Sequence, residues 1–160
     1  VANDDAGRPA VTVPDGGTVA VSLAHRAGVA VATVAETGDA GIDVEVVEPR
    51  TDAFAAMCLS EDERALGFGF SHDAWVARAW TAKEAAAKAD GTGLQGRPKD
   101  FVVREVDGDW TRVNDRWVHT TQEGDLIVST VRQREHVSRD RPRHRGDRPD
   151  DRPARPPGHR

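Results

Sequence analysis

An α+β fold with mostly antiparallel strands is the architecture this sequence predicts, and three observations predict it. β-Branched, apolar stretches crowd the first third of the chain, at residues 18–23, 29–35 and 41–47. Helical stretches fill the middle, the longest from Ser71 to Asp90. Short strands separated by turn signals return after Pro98. Strands, then helices, then strands argue for segregated rather than alternating elements. At 160 residues, one domain with a real core is expected.

In chain order, residues 1–17 are rich in Gly, Pro and Asp and read as an N-terminal loop segment with one short strand near residues 11–13. The folded domain is expected over residues 18–131. Residues 18–23 and 29–35 form two strands joined by a turn over residues 24–28, close enough for a hairpin. A third strand covers residues 41–47, and Pro49 stops it. A short helix follows over residues 52–58. Ser60-Glu61-Asp62-Glu63 then has the form of a capping box that opens a second helix. Asp107-Gly108 and Glu123-Gly124-Asp125 mark turns between strands at residues 101–106, 110–113, 116–121 and 126–132.

The long helix is the best-specified element. Ser71 can accept from the free amides of the first turn, and Asp73 places negative charge where the helix dipole favours it. Alanine dominates from there to Asp90, and Gly91 and Gly93 end the helix. Trp75, Val76, Ala79, Trp80 and Ala87 recur at three- and four-residue spacing as one apolar stripe.

Composition excludes several classes. Residues 132–160 carry ten Arg, five acids and five of the nine prolines, with almost no apolar residue. Such a segment buries too little surface to offset its ordering entropy, so it reads as a disordered Arg/Pro/Asp-rich tail. Interspersed acids and the lack of aromatics argue against nucleic acid as its partner. Cys58 is the single cysteine, which excludes an internal disulfide and a cysteine-rich zinc site. It lies among Phe54, Met57 and Leu59, where a buried free thiol is expected. Neither a transmembrane run nor a signal peptide is present, so a cytoplasmic protein with no membrane partner is expected. The chain opens on Val1 rather than Met, as a fragment or a mature end would.

Two stretches carry chemistry. In Gly41-Ile42-Asp43-Val44-Glu45, strand alternation points Asp43 and Glu45 to one side and Ile42 and Val44 to the other. One reading is a half-exposed strand with its acids in water. The other is that two neighbouring carboxylates await a cation, for which magnesium, a hard ion that takes oxygen ligands, is the natural choice. A third carboxylate could come from Glu84 if the long helix crosses this sheet. Glu84 and Lys88 lie one turn apart on one helix face, as a simple surface ion pair also would. His25 could donate to a phosphate, with Lys83 and Lys88 as further cations.

Ser22-Leu23-Ala24-His25, Gly41-Ile42-Asp43-Val44-Glu45 and the run from Trp80-Thr81-Ala82-Lys83-Glu84 through Lys88 to Leu94 occur in that order. Together they resemble the 4′-phosphopantetheinyl transferase superfamily, over about residues 7–106. Gly7-Arg8-Pro9 and Leu59-Ser60-Glu61-Asp62-Glu63 fit the flanks of its two-lobed, Sfp-type class. The resemblance implies transfer of 4′-phosphopantetheine from coenzyme A to a serine of an acyl or peptidyl carrier protein, releasing adenosine 3′,5′-bisphosphate. It further implies Asp43, Glu45 and Glu84 as magnesium ligands, and Glu84 as the base for the serine proton. Lys88 would meet the pyrophosphate, His25 the 3′-phosphate of coenzyme A, and Arg26 a further phosphate. The departures are Ala24, where the family usually has a small hydroxyl residue, and the short stretch before His25. Ala24 removes one phosphate contact. The short stretch fits a C-terminal lobe that works with a second lobe of a larger protein, a chain that pairs with a second copy of itself, or a degenerate remnant, of which the C-terminal lobe is expected. The alternative is a non-catalytic lobe that binds coenzyme A or a carrier protein.

Overall fold

The computed structural model describes residues 2–3, 9–36 and 39–134. Its strands form two antiparallel sheets. The first has the order β1 (Ala2–Asn3), β2 (Pro9–Thr12), β3 (Thr18–Arg26), β4 (Val29–Ala35). The second contains β5 (Ile42–Val46), β6 (Val103–Asp107), β7 (Trp110–Val113), β8 (Arg116–Glu123) and β9 (Leu126–Val131), ordered β5-β9-β8-β7-β6. Three helices lie between β5 and β6 in sequence: α1 (Asp52–Cys58), α2 (Glu61–Ala65) and α3 (His72–Ala89). The α+β class with antiparallel pairing is therefore as the sequence predicts.

Three details differ. Residues 1–17, read as a loop with one short strand, contribute β2 and the two-residue β1 to the first sheet. The turn expected over residues 24–28 shrinks to Ala27 and Gly28, and β3 runs on through His25 and Arg26. Both turn residues have positive φ, 48° and 78°, as a two-residue hairpin with the right-handed strand twist demands. Finally, residues 132–134, assigned to the tail, lie against the second sheet. The Arg132 amide donates to the Trp117 carbonyl, and the Arg134 guanidinium sits 4.6 Å from the centre of the Trp117 ring. The rest of the expected tail, residues 135–160, lies outside the described residues.

Helix α3 explains where the core sits. Ser71 caps it by accepting from the Ala74 amide, and the Gly91 and Gly93 amides close its end on the Lys88 and Ala87 carbonyls. A single apolar stripe was expected, but the helix is buried on most of its circumference. Small alanines permit this, because the sheet and the short helices can approach closely from several directions. Beyond the first turn only Trp80, Glu84 and Lys88 escape full burial. Four residues apart, they form one open face. Trp75, Val76, Ala79, Ala82, Ala85 and Ala86 pack with Ala55, Cys58, Leu59, Val103, Val113 and Val118 as the main core.

Lys83 sits inside this core, although the sequence offered it as a cation for a ligand. Its Nζ is fully buried and pairs with Glu63 Oε1 at 2.7 Å, while donating to the Cys58 and Pro98 carbonyls. It ties α3 to the loops around it and does not face the open stripe. Cys58 is a free, buried thiol as expected, and burial pushes its pKa up to about 11, which suits packing rather than nucleophilic attack.

Gly41 sets the approach of β5 to α3. A Cβ there would meet the Ala85 carbonyl oxygen at 2.1 Å and the Ala89 Cβ at 2.9 Å. Gly41→Ala should therefore cost about 1–3 kcal/mol or more through overpacking, read as a lowered denaturation midpoint. Unchanged stability would mean that strand and helix can separate freely. Among the described residues no helix is long and apolar enough to cross a membrane.

Candidate active site

The close contact at Gly41 brings the Asp43 strand against the open face of α3. Lys88 Nζ donates to Asp43 Oδ1 at 2.8 Å, to the Ile42 carbonyl at 3.2 Å and to the Leu23 carbonyl at 3.5 Å. One ammonium thus joins the helix, the second sheet and the first sheet. The seam has a second stitch, since the Ile42 amide donates to the buried Ser22 Oγ at 3.1 Å. Asp43 is only 8% exposed, and its burial pushes its pKa up despite the hydrogen bond from Lys88.

Glu45, two residues along β5, lies between two arginines. Arg26 Nε is 3.3 Å from its Oε2, and Arg50 Nη2 is 3.5 Å from the same oxygen. Both arginines also meet Glu48 Oε1, at 2.8 Å and 2.9 Å. The four side chains form a closed square of two acids and two bases. Burial raises the Glu45 pKa; Asp43 adds to the rise, while Arg26 and Arg50 oppose it.

Glu84 stands differently. It is half-buried and makes no direct ion pair or hydrogen bond among the described residues. The surface pair with Lys88 therefore does not form, because Lys88 is drawn to Asp43 instead. Burial raises the Glu84 pKa, Asp43 and Glu45 raise it further, and Lys88 opposes them. A half-buried carboxylate of raised proton affinity, without a partner and beside two other acids, is well suited to accept a proton.

Of the residues singled out in the sequence, Asp43, Glu45, Glu84, Lys88 and Arg26 come together here. His25 does not join them directly. Alternation along β3 puts it on the face opposite Arg26, where it is exposed and has no polar partner among the described residues. Arg50 and Glu48 were not foreseen. Arg50 follows Pro49 in a loop, and no periodicity relates it to β5; only the proximity of two acids in Glu45-Val46-Val47-Glu48 hinted that a cation was needed.

Among the described residues no three His, Cys, Asp or Glu side chains converge closely enough to hold a metal ion by themselves. The donors on hand are nonetheless all carboxylate oxygens, the hard ligands that magnesium prefers. Magnesium also commonly takes only one or two protein carboxylates and completes its shell with water and phosphate oxygens. The residues fit magnesium in that shared form, not as a preformed cage.

The sequence model of the 4′-phosphopantetheinyl transferase superfamily matches residues 39–138, more than half of the chain. The chain belongs to that superfamily. The matched span of this phosphopantetheinyl transferase homologue holds Asp43, Glu45, Arg50, Glu84 and Lys88, while His25 and Arg26 precede it. No curated protein matches the chain. Phosphopantetheine transfer is the family's chemistry, and the cluster beside α3 brings together Asp43, Glu45, Glu84, Lys88 and Arg26 of this member.

Proposed function

We propose that the chain transfers the 4′-phosphopantetheine group of coenzyme A to a serine of an acyl or peptidyl carrier protein, with magnesium, in the cytoplasm. The observation that carries this reading is that Glu84, which has no ion pair among the described residues, stands one helical turn from the cation Lys88, with Asp43 and Glu45 close by. Glu84 would take the proton of the carrier serine hydroxyl, directly or through water, as that oxygen attacks the phosphorus. Lys88 would turn from Asp43 toward the diphosphate and neutralise the leaving phosphate. Magnesium, sharing carboxylate oxygens drawn from Asp43, Glu45 and Glu84 with water and phosphate oxygens, would offset the charge that builds on the diphosphate. Arg26 lies at the end of β3 beside this cluster and would contact a phosphate. Exposed His25 is free to donate to the 3′-phosphate.

The reading requires adenosine 3′,5′-bisphosphate to appear when the chain, coenzyme A, magnesium and an apo carrier protein are mixed. Its appearance should depend on the carrier serine. Release that persists when that serine is replaced by alanine would point to hydrolysis rather than transfer. Asp43→Asn should weaken magnesium-dependent coenzyme A binding by about tenfold or more, since it removes a charged ligand and frees Lys88 from its partner. Unchanged titration curves would remove Asp43 from the site.

The raised carboxylates give a pH signature. Folding raises the proton affinities of Asp43, Glu45 and Glu84 above their ordinary values of 3.8 and 4.5. Their contribution to stability is therefore full below those values and is lost as pH rises through the raised ones. A divalent cation that relieves the repulsion should lift Tm more at about pH 8 than at about pH 5. Equal shifts at both values would argue against a metal at these acids.

A further inference from the structure

We infer that Arg50 is an exchangeable counter-ion: it neutralises Glu45 while the site is empty, and it moves to a phosphate of the ligand when Glu45 is taken by the metal. The inference deepens the transferase reading and rests on it. Three observations carry it. First, Arg50 is held to the acid square by its Nη2 alone, at 3.5 Å to Glu45 and 2.9 Å to Glu48. The contact to Glu45 is at the long limit of a hydrogen bond, so little is lost in breaking it. Second, the Arg50 Nε is buried without a hydrogen-bond partner among the described residues. A buried N–H left unpaired is costly and marks a place where an acceptor is missing. A phosphate oxygen meets that need, because a guanidinium presents Nε and Nη together as a fork that fits phosphate.

Third, the residue is anchored through its main chain. Its guanidinium lies 4.9 Å from the centre of the Phe54 ring, and its backbone amide donates to Asp73 Oδ1 at 2.9 Å. The main chain stays fixed while the head leaves Glu45, so the movement is a rotamer change and not a loop rearrangement. Arg26 shares Glu45 and Glu48 but has no unpaired buried nitrogen among the described residues and is more exposed, which makes Arg50 the member of the pair with an unsatisfied donor. Local charge balance explains why the exchange is favourable only when metal and phosphate arrive together. Metal alone at Glu45 would lie against Arg50, and phosphate alone would draw Arg50 from an acid left bare.

The test is direct binding, without turnover. Manganese(II), followed by its electron paramagnetic resonance signal, is titrated into the full chain and into Arg50→Met, which removes the charge and keeps an unbranched apolar stem. Coenzyme A is titrated into both by calorimetry with magnesium present. Arg50→Met should bind manganese alone about tenfold more tightly, and coenzyme A about tenfold more weakly, than the unaltered chain. The gain for manganese should vanish in Arg50→Met/Glu45→Gln, and should not appear in Arg97→Met, which removes an equal charge from an exposed pair with Asp100. Arg50→Gln gives the same comparison should the methionine variant fold poorly. Unchanged manganese affinity, unchanged coenzyme A affinity, or a gain that survives Glu45→Gln each overturns the exchange. Should these fail while carrier modification proceeds, the transferase reading stands and the role of Arg50 falls. If the exchange is observed and no carrier is ever modified, the reverse holds.

Discussion

Replacing Glu84 by glutamine is expected to lower carrier modification by about a hundredfold to ten-thousandfold while leaving the fold intact. The size follows from what the substitution removes. Glutamine keeps the shape of the side chain, and Glu84 has no hydrogen bond to lose among the described residues. Its carboxylate is also held at raised proton affinity by burial and by Asp43 and Glu45, so removing the charge relieves repulsion. Stability should stay level or rise. Wild-type turnover in Glu84→Gln would take the base role away from Glu84 altogether.

Glu63→Gln should be the most destabilising of the conservative substitutions, by about 3–5 kcal/mol in chemical denaturation, because it strands a buried ammonium. Glu63 is 2% exposed and Lys83 is 0% exposed. Each end of the carboxylate is committed to donors: Oε1 accepts from Lys83 and from the Val103 amide, and Oε2 accepts from the Ser60 amide that opens α2. A glutamine amide must turn its NH2 toward one of these donors, so either the ion pair or the capping box is lost. Lys83→Met should also destabilise, since it leaves the Cys58 and Pro98 carbonyls without their donor. A double variant with methionine at 83 and leucine at 63 should recover part of the loss, as buried pairs replaced by apolar groups commonly do. Near-native stability in Glu63→Gln would show that the pair is hydrated in solution.

The contrast between these neighbours shows how far sequence reasoning reaches. Caps and hairpins were legible because they are local: Ser71 caps α3, and Ser60 with Glu63 forms the box that opens α2. Lys83 and Glu84 are adjacent, yet about 100° apart around the helix. Which of them meets solvent depends on α1, α2 and β6 closing over one side, and no local pattern states that. Lys88 shares the open face with Glu84 as helical spacing expects, but its partner Asp43 is distant in sequence and only the packing at Gly41 joins them. The overrun of β3 had a local cause, since a two-residue turn at Ala27 and Gly28 leaves Ala24, His25 and Arg26 in the ladder. That shift sends Arg26 to Glu45 and His25 to the outer face. Arg50 was invisible for the same reason as Lys83, because its role is fixed by partners on another element. Family resemblance named the acids; the structure supplied their counter-ions.

The measurement that tests the central claim most directly is labelling of apo carrier proteins with fluorescent coenzyme A and magnesium, scored on a gel for the unaltered chain and for Glu84→Gln. The account predicts a fluorescent carrier that is lost with EDTA, lost in Glu84→Gln and lost when the carrier serine is replaced. Absence of labelling across acyl and peptidyl carriers, with coenzyme A bound equally by both forms of the chain, would contradict it and leave a lobe that binds without transferring.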